Sequence, residues 1–244
     1  MRFDHRPVRR VEAARDAPVT WGRWPTTLPV VAQVLREGLE LGPGVTFVVG
    51  ENGSGKSTLL EGIAGAYGLA LEGGTRNTMH VTHGSESELH DWLHLTRGAG
   101  SSRWGYFLRA ETMHGYLTYL DTGARDPARD PVFHELSHGE STLQIISKYL
   151  GSAGFYCLDE PETALSFSST LALVATLREL ASTEGSQVLC ATHSPLVTAL
   201  PGATILEVGE WGLRETTWDD LVLVGRWRSY LEDPDRFLRR ILDP

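Results

Sequence analysis

Gly50-Glu51-Asn52-Gly53-Ser54-Gly55-Lys56-Ser57-Thr58 fits the pattern G-x-x-x-x-G-K-[ST], and its flanks decide how it is read. Upstream, Val45-Thr46-Phe47-Val48-Val49 is apolar and β-branched, the composition of a strand buried on both faces. Downstream, Ser57 to Ala64 places Leu59, Leu60, Ile63 and Ala64 as the start of a helix. Strand, glycine turn and helix N-terminus make an anion site. The glycines let successive N–H groups turn toward phosphates, and the helix dipole favours negative charge there. In such a loop Glu51 to Thr58 cradle the phosphates, Lys56 reaches the β- and γ-phosphates, and the Ser57 hydroxyl ligates Mg²⁺. The chain has only two lysines, Lys56 and Lys148, so a chance match to the pattern is uncommon.

Phe155-Tyr156-Cys157-Leu158-Asp159-Glu160 is an apolar run that ends in two carboxylates. At the end of a parallel strand, Asp159 would hold Mg²⁺ and Glu160 would orient and polarise an attacking water. The next strand ends in Ala191-Thr192-His193-Ser194-Pro195, and ligands of doubly wound sheets sit at these carboxyl ends. His193 therefore faces the same crevice in this reading; the plain alternative is a solvated or capping histidine. Leu136-Ser137-His138-Gly139-Glu140-Ser141 precedes a helix, Thr142 to Leu150, with Ser137 or Ser141 as its cap.

The remaining chain supports an α/β class. From residue 154 onward strands alternate with helices: strand 154–158, helix 169–181, strand 187–191, a short helix near 195–200, and strand 204–208. Residues 213–217 could return as a hairpin, and the tail reads as two helices, 219–231 and 234–242, with Asp233 capping the second. The helix 169–181 shows Leu171, Val174, Leu177 and Leu180 as its apolar stripe. Before the phosphate loop, residues 7–24 read as edge strands and 28–39 as a helix with apolar positions 30, 31, 34 and 35. Residues 72–88 are a polar excursion with one short strand near 79–81, followed by a helix 88–95, a strand 106–110 and a helical 116–120.

Hydrophobic residues make up 41% of the chain, enough for a sizeable core, and the net charge of −9 provides no global attraction for nucleic acid or anionic membranes. No apolar run approaches the roughly 18 residues of a membrane span. The start of the chain lacks the apolar core of a signal peptide. Cys157 and Cys190 lie in buried strands and read as core thiols of a reducing compartment, so cytoplasm is the expected location.

In this order, these stretches resemble the ABC-type ATPase head, and most closely the small single-domain ATPases of the AAA/ABC-like group, which lack coiled-coil arms. Gly50–Thr58 matches the Walker A loop, Leu136–Ser141 the signature, Leu158-Asp159-Glu160-Pro161 the Walker B, Glu162 to Ser166 the D-loop, and His193 the switch histidine. The resemblance covers roughly residues 45–210. It implies one P-loop NTPase domain over residues 1–244: a mostly parallel sheet with helices on both faces, an N-terminal antiparallel β layer, and a helical signature subregion near 72–150. It implies ATP and Mg²⁺ as cofactors and ATP hydrolysis as the reaction. It also implies a head-to-tail homodimer in which Ser137, Gly139 and Glu140 of one chain meet the nucleotide held by the other's Lys56.

Three departures qualify the match. His138 and Glu140 stand where transporter heads carry glycine and usually glutamine. No glutamine loop is evident; Glu111 takes that place, as a Mg²⁺ or water ligand or as a plain strand-end acid. The adenine-stacking aromatic is open between Trp21 and Trp24, with Arg76 and Asn77 as further candidates to touch nucleotide. About eighty residues without heptads separate loop and signature, so long coiled-coil arms are excluded. The expected function is an ATP-gated dimer that drives an unidentified protein partner. The alternatives are the nucleotide-binding subunit of a transporter and an ATP-sensing module in DNA repair or defence. Arg226, Arg228, Arg236, Arg239 and Arg240 form one strip that nucleic acid could use; a solvated face is the plain alternative.

Overall fold

The computed structural model describes residues 5–76, 78, 87–124 and 136–242. The expected strand near 79–81 and the candidate Asn77 lie outside them. Strand β1 (Arg10–Ala13) leads to helix α1 (Pro29–Glu37), β2 (Leu39–Glu40), β3 (Gly44–Val49) and α2 (Lys56–Tyr67). Next come α3 (Leu89–Trp92), β4 (Leu93–Thr96), β5 (Gly105–Arg109), α4 (Met113–Tyr119) with a π turn at Leu120–Ala124, and α5 (His138–Tyr149). The second half holds β6 (Gly154–Asp159), α6 (Phe167–Ser182), β7 (Ser186–Thr192), a 3₁₀ turn at Val197–Ala199, β8 (Thr204–Gly209) and β9 (Gly212–Thr216), then α7 (Val222–Glu232) and α8 (Pro234–Leu242).

The central sheet has the order β5-β6-β7-β3-β8-β9, parallel except for the β8–β9 hairpin. Strands β3, β5, β6, β7 and β8 are buried on both faces, and alternate side chains feed two cores. Tyr156 and Leu158 join Phe47, Leu173 and Leu177 on the face covered by α4, α5 and α6. Phe155 and Cys157 join Val48, Leu59 and Ile63 on the face covered by α1 and α2. This double burial is why these strands read as unbroken apolar runs. Both cysteines are buried, unlinked thiols, and burial raises their pKa values well above the ordinary thiol range.

A second, antiparallel sheet, β2-β1-β4, packs at the N-terminal side. Within the expected edge-strand region only Arg10–Ala13 is extended in this way. The helix expected over 88–95 stops at Trp92, because Leu93 and Leu95 alternate with His94 and Thr96 and β1 offers Ala13 and Val11 as partners. The predicted stripe on α6 is corrected as well: Thr170, Leu173, Leu177 and Leu180 are buried, whereas Leu171 is 47% exposed. At about 100° per residue, Leu171 and Leu180 stand roughly 180° apart and cannot share a face. Finally, α5 begins at His138, inside the signature stretch rather than after it, with Ser137 as its N-cap.

Candidate nucleotide site

Parallel register brings the predicted chemistry to one edge of the sheet. Arg109 pairs in register with Asp159, Asp159 with Ala191, and Val49 with Thr192. The glycine loop after β3, the acids that end β6 and the turn after β7 therefore open into the same crevice, 102 residues apart at Ser57 and Asp159. There the Ser57 hydroxyl donates to Asp159 Oδ1 at 3.0 Å.

The loop itself is shaped for an anion. Helix α2 starts from Gly55 at φ 95°, and no side chain caps it, so its first N–H groups point into the loop. A Cβ on Gly55 would meet Val30 Cγ1 at 2.9 Å, which leaves glycine as the residue that fits. The Lys56 ammonium is buried within the loop and donates to the carbonyls of Gly50 and Glu51 at 2.8 and 2.9 Å. Burial lowers its pKa, while the carboxylates of Glu160 and Asp159 act in the opposite sense. Ser54 Oγ is buried without a hydrogen-bond partner, an orphan that a phosphate oxygen would satisfy. Asn52, Gly53, Lys56, Ser57, Thr58 and Glu160 line a cleft of ≈ 320 Å³, and Trp24 stands at its wall.

Residues 35–99 match a family model described as "AAA domain", and residues 123–199 match one described as "AAA domain, putative AbiEii toxin, Type IV TA system". The two matches fall on the halves that carry the glycine loop and the paired acids. Both halves are thus similar to AAA-type ATPase domains. Among solved structures, a dimeric bacterial ABC transporter cassette is 17% identical, over 74% of this chain and 88% of that one, with a TM-score of 0.46. CbiO1 from Clostridium perfringens, part of the ABC transporter complex cbiONQ, is 15% identical, over 85% and 90%, with a TM-score of 0.47. No curated protein sequence matches the chain.

Glu160 takes φ 51°, the sole non-glycine residue at positive φ among those described. A left-handed non-glycine residue costs on the order of 1–2 kcal/mol and is held by its surroundings. Here the Glu160 N–H donates to the Ala191 carbonyl at 2.9 Å. The turn sets Glu160 Oε1 at 3.4 Å from His193 Nδ1. Burial pushes the Asp159 carboxyl up to about 6, against the Ser57 hydrogen bond and the Arg109 charge, which lower it. Ser57 and Asp159 offer hard oxygen ligands of the kind Mg²⁺ prefers. Among the described residues no cluster of three or more His, Cys, Asp or Glu could hold a metal ion.

The other predicted residues are placed as follows. Ser137 and Glu140 are exposed at the start of α5 and form a capping box: the Glu140 carboxylate accepts from the Ser137 N–H at 2.9 Å and the Ser137 hydroxyl at 2.7 Å. These bonds hold the Glu140 carboxyl below its ordinary pKa. Gly139 packs against the D-loop, where a Cβ would come 2.8 Å from the Ala164 carbonyl oxygen. The Glu111 carboxylate is exposed and paired with Arg109 at 3.2 Å. Of the two tryptophans, only Trp24 borders the phosphate cleft; Trp21 lies under the Arg36 guanidinium at 4.7 Å. Arg76 packs at Gly68, the far end of α2 and about 18 Å along the helix from the loop, too distant to touch phosphates held there.

Sequence reading missed four contacts. Arg226 on α7 pairs with Glu51 of the loop. It lines, with His193, Trp211 and Trp227, a second cleft of ≈ 870 Å³ on the loop's other side. Arg228 pairs with Asp219, so two members of the supposed basic strip are held in ion pairs within the chain; the Arg240 side chain lies outside what the structure describes. Arg109 forms a buried pair with Glu61, and Glu162 is buried against Thr192. No local motif signals these: Arg228 and Asp219 are nine residues apart, outside any helical pairing step, and the other pairs join segments much farther apart in sequence.

Proposed function

We propose that the chain binds ATP with Mg²⁺ and hydrolyses it as a head-to-tail homodimer that holds two nucleotides between its copies. The observation that carries this is the 3.0 Å contact between Ser57 and Asp159 in a cleft shared with Lys56 and Glu160. The loop N–H groups and Lys56 hold the β- and γ-phosphates, and the phosphates replace the carbonyls to which the ammonium now donates. Ser57 and Asp159 hold Mg²⁺, which neutralises phosphate charge; Glu111 joins them after rotating away from Arg109. Glu160 orients and polarises the attacking water, and His193 steadies Glu160 and contacts the γ-phosphate. Trp24 stacks on the adenine.

Ser137 and Gly139 of the second copy close the site, with Glu140 turned out of the capping box. Closure on ATP and opening after hydrolysis are passed to a protein partner. One domain over 1–244 and a cytoplasmic setting complete the reading; no helix among the described residues is long and apolar enough to cross a membrane. The match over 123–199, whose description names a toxin of a Type IV system, favours a second reading in defence: an ATP-gated regulator with slow turnover.

The test compares turnover and solution mass, with and without ATP and Mg²⁺, for wild type and Glu160→Gln. The substitution should abolish turnover and trap an ATP-bound dimer. A variant that stays monomeric and binds no ATP would refute the proposal, and single-turnover rates too slow to do work would favour the regulator.

A further inference from the structure

Glu162 follows the water-activating acid by two residues and is 8% exposed. Its Oε1 accepts the Thr192 hydroxyl at 2.5 Å and the His193 N–H at 3.3 Å. Thr192 Oγ in turn accepts the Ser194 N–H at 3.0 Å. The turn that presents His193 is thus folded around a carboxylate supplied by the loop after β6. That loop is itself locked: Thr163 N–H donates to the Glu160 carbonyl at 3.1 Å and Leu165 N–H to the Glu162 carbonyl at 2.8 Å. Its far side, the Ala164 carbonyl, abuts Gly139 in the first turn of α5. Burying a carboxylate is costly unless donors meet it; both donors to Oε1 come from the segment that carries the histidine, while Oε2 is buried without a partner.

We propose that Glu162 is a positioning residue that sets His193 against Glu160. This rests on the hydrolytic reading above.

The experiment compares Glu162→Ala, which removes the acceptor, with Glu162→Gln, which keeps an oxygen at the same place. Glu162→Ala should lower kcat roughly tenfold or more while KM for ATP stays within about twofold; Glu162→Gln should keep at least about half of the wild-type kcat. A parallel readout needs no nucleotide: ¹H–¹⁵N spectra of the ligand-free chain, with the His193 signals assigned through His193→Gln. The ring and backbone signals of His193 should move in Glu162→Ala and in Thr192→Val, a near-isosteric change that loses only the hydroxyl, and stay in place in Glu162→Gln. Unmoved His193 signals in Glu162→Ala overturn the proposal, as does a Gln variant as slow as the Ala variant. If wild type consumes no ATP but the signals move as expected, the hydrolytic reading fails and the positioning role stands.

Discussion

Arg109 Nη1 lies 2.9 Å from Glu61 Oε2, joining the carboxyl end of β5 to the helix that leaves the phosphate loop. Both side chains are largely buried, at 17% and 10% exposure, and Glu61 also accepts the Ser87 N–H at 3.2 Å. Removing one partner of such a pair leaves a buried charge uncompensated. Arg109→Leu should therefore destabilise the chain by roughly 2–4 kcal/mol, and adding Glu61→Leu should restore much of that loss. Urea unfolding of the two single variants and the double variant measures this; additive losses would show that the pair is not coupled.

Asp159 has a carboxyl raised from 3.8 to about 6, with burial as the main cause. The folded state then holds this proton more tightly than the unfolded chain does. The associated stability is complete below about pH 4 and is lost as pH rises through about 6. In metal-free protein at pH 7.5, Asp159→Asn should be more stable than wild type by on the order of 1–3 kcal/mol, and the difference should fade toward pH 4. Thermal unfolding across that range checks the sign. The same variant should lose Mg²⁺-dependent turnover, so stability and activity move in opposite directions at one residue.

Trp24 is 54% exposed at the wall of the phosphate cleft. If its ring receives adenine, ATP should quench tryptophan fluorescence, and Trp24→Ala should remove most of that quench and weaken ATP binding by about three- to tenfold, the worth of one stacked ring. Trp21→Ala is the matched control and should leave affinity unchanged.

Glu140 places an ionised carboxylate on the Ser137 hydroxyl, where the partner's γ-phosphate is expected. Glu140→Gln removes that repulsion and keeps an acceptor for the cap. ATP-dependent dimerisation should tighten by several-fold, most visibly at low salt, where exposed charges are least screened. Analytical ultracentrifugation in the Glu160→Gln background, which holds ATP in place, reads the change.

Much of this protein is written in consecutive residues. The glycine loop, the Asp159–Glu160 pair and the capped start of α5 are short motifs whose chemistry depends on local backbone shape, and strand–helix alternation after residue 154 carried the fold class. Legibility failed where a pattern is shared by two outcomes. Leu93 and Leu95 suit a helix or a strand until β1 is seen beside them, and Leu171 joins an apparent stripe that three-residue steps cannot keep on one face.

The sequence by itself determined that a glycine loop follows one buried strand and that two acids end another, because such motifs are complete within a few residues. Only the tertiary structure decided the strand order, the partner of each buried charge, and the supports behind the site: Glu162 with Thr192 across 30 residues, and Arg226 with Glu51 across 175. Periodicity reports that a side chain is buried or exposed. It holds no record of which other segment packs against it, and that choice is made when the whole chain excludes water together.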